Sequence, residues 1–206
     1  MKLKLHLTLL FFFAIISTAQ AQYGFGSHYG TGFLCFDCDY SIEGGPLVSN
    51  INGVKANERV GFYLALYQYK EINDQWALRF GLGYANMGAN LKENSENFVL
   101  HSMLIEPISV HYTFKKKFKT FLGGTLGAIM YGNNPFNEKE TGTTFFPEGI
   151  KYLDFSLFAG VGYRFTDNID LNLKYSLGLS NLNDMEDSDI KWKMNSLSLG
   201  VAYTFR

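Results

Sequence analysis

The stretch Tyr152–Leu179, YLDFSLFAGVGYRFTDNIDLNLKYSLGL, decides how the rest of the chain is read. Leu153, Phe155, Leu157, Ala159, Val161, Tyr163 and Phe165 alternate with Asp154, Ser156, Phe158, Gly160, Gly162 and Arg164. Thr166, Asp167 and Asn168 interrupt as a polar turn. Ile169, Leu171, Leu173, Tyr175, Leu177 and Leu179 then alternate with Asp170, Asn172, Lys174, Ser176 and Gly178. A side-chain period of two belongs to β-strands, here with one apolar face and one face of small or polar residues. Two such runs about a tight turn predict a hairpin.

The same alternation recurs through the chain. Arg59–Tyr69 places Val60, Phe62, Leu64 and Leu66 opposite Gly61, Tyr63, Ala65 and Tyr67. Gln75–Ala89 places Trp76, Leu78, Phe80, Leu82 and Tyr84 opposite Ala77, Arg79, Gly81, Gly83 and Ala85. Further strands are expected over Phe98–Phe114, Phe118–Tyr131 and Trp192–Phe205, and a Gly-rich first strand over Gln22–Leu34. Between that first strand and Arg59, the Gly, Pro, Asn and Asp content of residues 35–57 reads as a long loop. In Phe98–Phe114, continuing the register back from Phe114 would set Glu106 on the apolar face. Pro107 also lacks the N–H that a ladder needs. A bulge at Glu106-Pro107 that turns the carboxylate off that face is therefore expected.

The connections are expected to alternate long, short, long, short, long, short, long. That is the pattern of an all-β, eight-stranded antiparallel up-and-down transmembrane β-barrel, with tight turns on the periplasmic rim and long loops outside. An even strand count puts both termini on the short-turn, periplasmic side. Closure removes every sheet edge, which lipid requires.

Alternation alone leaves open which face is outside. A secreted lipocalin-like barrel, apolar within and wet without, is the competing architecture. The non-apolar face is mostly Gly, Ala and Ser with sparse charges at Arg79, Asp154, Arg164, Asp170 and Lys174, which suits a crowded lumen where charges pair. The apolar face is accordingly placed against lipid. Trp76, Phe114, Phe118, Phe165 and Tyr203 fall near the short-turn rim, where an aromatic girdle belongs.

Composition agrees. Hydrophobic residues make up 47% of the chain, yet beyond the first residues none forms the ~20-residue apolar run of a membrane helix. At the N-terminus Lys2 and Lys4 precede the apolar run Leu5–Ile16, and Ala19-Gln20-Ala21 is an A-x-A site. Residues 1–21 are thus expected to be a cleaved signal peptide and 22–206 the barrel. Removing Lys2 and Lys4 takes the formal charge from −1 to −3, too close to neutral to indicate a nucleic-acid partner.

WALRFGLGYANMGANLK, EPISVHYTF, FLGGTLGAIMYG, FSLFAGVGYRFTDNIDLNLKYSLGLSNL and the terminal LSLGVAYTFR resemble the outer-membrane β-barrel family of Bacteroidota typified by PorT-like proteins. The resemblance implies an eight-stranded outer-membrane barrel with no catalytic residues to carry over. The chain departs from the family in the order Ile105-Glu106-Pro107, where members often show Glu-Ile-Pro, and in ending with Arg206 after Phe205.

The chemistry-bearing candidates are few. Cys35 and Cys38, the only cysteines, lack the βαβ context of a redox C-x-x-C and are read as a local disulfide of an exported protein. Asp184, Glu186, Asp187 and Asp189 form an acidic loop that could contact cations, although the EF-hand spacing fails. His28, His101 and His111 have no Ser or Asp partner at a telling spacing and are read as rim or lumen residues. No catalytic residue, metal site or cofactor is expected. Lys115–Lys117 reads as a solvated turn. The expected partners are outer-membrane lipid, lipopolysaccharide and envelope proteins. A structural or interaction barrel, not an enzyme, is the leading function. A small-solute channel is the alternative, and the lipocalin-like binding barrel a further one.

Overall fold

The computed structural model describes residues 38–91, 97–133, 143–184 and 190–205. Its strands in chain order are β1 (Asp39–Asn52), β2 (Ala56–Glu71), β3 (Trp76–Leu91), β4 (Asn97–Phe114), β5 (Phe118–Gly132), β6 (Thr144–Phe145), β7 (Leu153–Arg164), β8 (Ile169–Gly178) and β9 (Lys193–Phe205). The hydrogen-bonded order is β4-β3-β2-β1-β9-β8-β7-β5, and β4 also pairs with β5, so eight antiparallel strands close on themselves. The first and last of them, β1 and β9, are neighbours. The two-residue β6 pairs only with the end of β5, through Tyr131↔Phe145 and Gly132↔Thr144.

The opening hairpin forms as β7 and β8, in register from Ser156↔Gly178 to Arg164↔Asp170. Outward residues are apolar and exposed: Val60 is 70% exposed, Leu122 64% and Leu153 73%. Phe62, Leu64, Leu66, Leu157, Val161, Leu173, Leu199 and Val201 continue the belt. A belt of this extent would aggregate in water and belongs against lipid, so the lipocalin-like alternative, with its wet exterior, is overturned. Trp76, Phe114, Phe118, Phe165 and Tyr203 are all exposed beside the Ile72–Gln75, Lys115–Lys117 and Phe165–Asn168 turns. Ring pairs such as Trp76–Tyr112, Phe118–Tyr163 and Tyr203–Phe205 tie the girdle together.

One element corrects the sequence reading. A barrel strand, β1, occupies Asp39–Asn52, inside the segment expected to be a loop. The expected first strand, Gln22–Leu34, lies outside the described residues. In consequence β1 and β2 are joined by a tight connection, Gly53–Lys55, where a long loop was expected, and Gly53 takes φ 105° in it. The run Gly44-Gly45-Pro46 disguised the strand, and its pairing explains why it is tolerated. The β1–β9 ladder lapses at Gly45 and Pro46, then resumes at Leu47↔Ser198. The β1–β2 ladder continues through Pro46↔Phe62. The missing N–H of proline thus falls where no ladder bond is needed. A Cβ on Gly45 would lie 2.1 Å from the Leu199 carbonyl oxygen, so only glycine fits this close approach.

The expected bulge at Glu106-Pro107 is present. Register shifts fall between Arg79 and Gly81 in the β3–β4 ladder and between Ile105 and Ile108 in the β4–β5 ladder. Glu106 turns inward and is buried. The inward glycines make room for neighbouring rings: a Cβ on Gly81 would strike the Tyr67 ring, on Gly160 the Phe121 ring, and on Gly123 the Phe158 ring. The lumen of this barrel is therefore filled by side chains rather than left open.

Candidate functional site

The lumen is the part of the molecule where charge and burial coincide. Its turn-side half is built around Arg79, 1% exposed, which the alternation of β3 aims inward. The guanidinium donates to Glu106 through two parallel bonds, Nε to Oε1 at 2.8 Å and Nη2 to Oε2 at 2.9 Å. Its Nη1 reaches Glu43 Oε2 and the Tyr69 hydroxyl, each at 3.2 Å. Glu43 also accepts from the Tyr63 hydroxyl at 2.7 Å and from Asn172 Nδ2 at 2.9 Å. Ser109 Oγ donates to Glu106, and His111 Nε2 lies 3.0 Å from that hydroxyl. The guanidinium plane rides over the Tyr67 ring at 3.8 Å. Residues of β1, β2, β3, β4 and β8 are thereby joined across the interior, and each buried charge has an opposite partner.

A second cluster lies nearer the turn-side rim. Lys119 and Arg164 both engage Asp170, Arg164 through its Nε at 3.3 Å. Lys119 is buried, whereas the Arg164 side chain keeps 23% of its surface exposed.

The residues singled out from the sequence thus separate. Arg164 and Asp170 pair with each other, while Arg79 takes Glu43 and Glu106 instead. Lys174 Nζ sits 5.2 Å from the ring centres of both Tyr63 and Phe158. Asp154 lies at the loop-side end of β7, away from the Arg79 cluster, with a buried Oδ1 that accepts no hydrogen bond among the described residues. Cys38 is bonded rather than free, and Cys35 lies outside the described residues. Asp184 is exposed, while Glu186, Asp187 and Asp189 lie outside the described residues. His111 is in the lumen, stacked on Phe121; His101 is half-buried beside Tyr84; His28 lies outside the described residues. Sequence reasoning missed Glu43, which sat in the supposed loop. It also missed Lys119, although the alternation Phe118, Thr120, Leu122 against Lys119, Phe121, Gly123 marks it as inward.

The loop-side half is closed differently. Ile51, Phe98, Leu100, Ile129, Ile150, Leu182, Trp192 and Met194 form one buried apolar cluster. Ile150 and Leu182 come from the connections after β5 and β8, which are bridged at Ile150↔Asn183. Trp192 meets Phe98 edge-on, ring centres 6.0 Å apart. Between the two halves lies a cavity of about 40 Å³, bordered by Tyr63, Thr125, Lys174, Ser176 and Ser198. At roughly 10–15 Å³ each it has room for about three water molecules.

The comparisons with known proteins agree with this architecture. Neisserial surface protein A shares 20% identity at a TM-score of 0.52, over 81% of this chain and 97% of its own. Ail, the attachment invasion locus protein of Yersinia pestis, shares 16% identity at a TM-score of 0.49, over 82% of this chain and all of its own. The outer membrane enzyme PagL shares 9% identity at a TM-score of 0.42, over 79% of this chain and 98% of its own. The likeness to Neisserial surface protein A, at 20% identity, speaks to the fold alone. No curated protein matches the sequence significantly. Residues 19–184, most of the chain, match the family described as outer membrane protein beta-barrel domain. A closed eight-stranded barrel with an exposed apolar belt, carried by a sequence that matches this family, makes the chain a member of the outer membrane protein beta-barrel domain family.

Proposed function

We propose that the protein is a structural or interaction barrel of the outer membrane, not an enzyme and not an open pore. The observation that carries this reading is the Arg79–Glu43–Glu106 cluster, which ties β3 to β4 and β1, reaches β8 on the far wall through Asn172, and leaves beside it a cavity of about 40 Å³. A solute crossing the barrel would have to break several charge-assisted bonds and then part the apolar cluster around Trp192. Residues 1–21 act as a cleaved signal peptide and both termini face the periplasm, so the longer connections, residues 133–152 and 179–192, face outside. Lipopolysaccharide and outer-membrane lipid surround the wall. The PorT-like resemblance supports a place in an envelope or secretion assembly. Conductance of the refolded protein in planar bilayers tests the reading. A silent barrel is expected; a stable open state of porin size would establish the small-solute channel instead.

A further inference from the structure

The outer wall carries a polar chain where lipid-facing residues should be apolar. Arg59 Nη1 donates to Asn86 Oδ1 at 2.6 Å. Asn86 Nδ2 lies 3.1 Å from His101 Nε2 and 3.3 Å from Nδ1, and Nδ1 also meets the Tyr84 hydroxyl. Arginine can only donate, so it fixes the orientation of the Asn86 amide with its oxygen toward Arg59 and its N–H₂ toward the imidazole. With Nε2, the nearer ring nitrogen, as the acceptor, Nδ1 carries the proton and donates to Tyr84 Oη. In that tautomer the phenolic hydrogen of Tyr84 is free to meet a further acceptor.

That donor borders a recess of about 350 Å³ between β3, β4 and β5, the size of a small ligand pocket. The recess exists because the β4–β5 ladder slips between His101↔Tyr131 and Ser102↔Ile129, which makes Met130 an extra residue. Met103, Met130, Tyr131 and Phe145 form its apolar sides, with Phe145 delivered by β6. Methionine walls adapt to a flexible chain. The level of the recess follows from strand geometry. Tyr84 is eight residues beyond the girdle residue Trp76 on β3, roughly 20 Å along the barrel axis at ~3.4 Å per residue and ~40° tilt. An apolar band is about 25 Å tall, so the recess lies just beneath the loop-side headgroup boundary.

We propose that this recess binds one phosphorylated acyl lipid of the loop-side leaflet, namely the lipid A portion of lipopolysaccharide. Tyr84 donates to a phosphate oxygen, Arg59 supplies the positive charge, and an acyl chain lies along Met103, Met130 and Phe145. The choice of lipid A rests on the proposed orientation, in which the loop-side leaflet is the outer one.

Native mass spectrometry of the refolded protein in detergent tests the site with diphosphoryl lipid A as the probe. The wild type is expected to retain one lipid A, with binding about tenfold weaker in Tyr84→Phe and in Arg59→Ala, each of which removes a bond to a charged group. Lys116→Ala, on the opposite rim, is expected to bind as the wild type does, and enzymatically dephosphorylated lipid A to bind about tenfold more weakly. Equal binding by Tyr84→Phe, Arg59→Ala and the wild type overturns the site. So does an equal loss in Lys116→Ala, or indifference to the phosphates, which would mean apolar adhesion only. Heat-modifiable migration of each variant confirms that its barrel is closed. Binding in micelles does not depend on which rim faces out. Orientation is read separately, from antibody access on intact cells to an epitope inserted in the 185–189 connection.

Discussion

The two halves of the lumen reach the same end by opposite chemistry. The turn-side half is sealed by Arg79, Glu43 and Glu106, and the loop-side half by Trp192, Phe98 and the leucines and isoleucines around them. Charged partners specify geometry, because the Arg79 fork must meet Glu106 on one neighbouring strand and reach Glu43 across another. An apolar cluster specifies volume and tolerates rearrangement. The half that fixes register is thus set among the long strands, while the half that can adapt lies where Ile150, Leu182 and Trp192 enter from connections.

The contrast can be broken first at Arg79. Arg79→Ala strands two buried carboxylates, and the expected loss is at the upper end of about 3–5 kcal/mol, read as a lower urea midpoint for refolding into lipid vesicles. Replacing Arg79, Glu43 and Glu106 together by Met, Leu and Leu should recover much of that loss, since the penalty lies in the unpaired charge. A triple variant as unstable as Arg79→Ala would show that the cluster acts in some other way. Trp192→Ala attacks the other half. It should cost about 3 kcal/mol, the low end for a buried tryptophan, because the connections around it can partly collapse. It should leave the barrel silent in planar bilayers, since the turn-side seal is intact.

The outer wall sharpens the comparison from the lipid side. Leu64 is exposed near the middle of β2, so Leu64→Lys should cost roughly 2–4 kcal/mol in the same vesicle assay, as a lysine at the bilayer midplane does. No loss there would place Leu64 outside the hydrocarbon. The smallest effect is expected at Arg164. Its side chain is 23% exposed and Asp170 keeps Lys119, so Arg164→Ala should change stability by about 1 kcal/mol or less.

The sequence disclosed much of the fold, for a physical reason. Lipid outside and side chains inside impose a strict period of two, and β7 and β8 show it plainly. The inward turn of Glu106 was also legible, because a carboxylate on the apolar register beside a proline leaves few alternatives. β1 was hidden because Gly44-Gly45-Pro46 serves a barrel seam with the same residues that would build a loop. The site was less legible than the fold. That Arg79 faces inward follows from alternation. That it meets Glu43, 36 positions earlier, depends on the register of β1 against β2 and β3, which no local pattern carries. The outer recess depends on a single slip in the β4–β5 ladder, and that too is set by pairing across strands.

The central claim, a lumen closed twice, is tested most directly by single-channel recording of the wild type, Arg79→Ala, Trp192→Ala and the double variant in planar bilayers. No stable conductance is expected from the wild type or either single variant, and openings only when both seals are removed. A wild type that shows a stable open state of porin size, or a Trp192→Ala variant that conducts by itself, would contradict it.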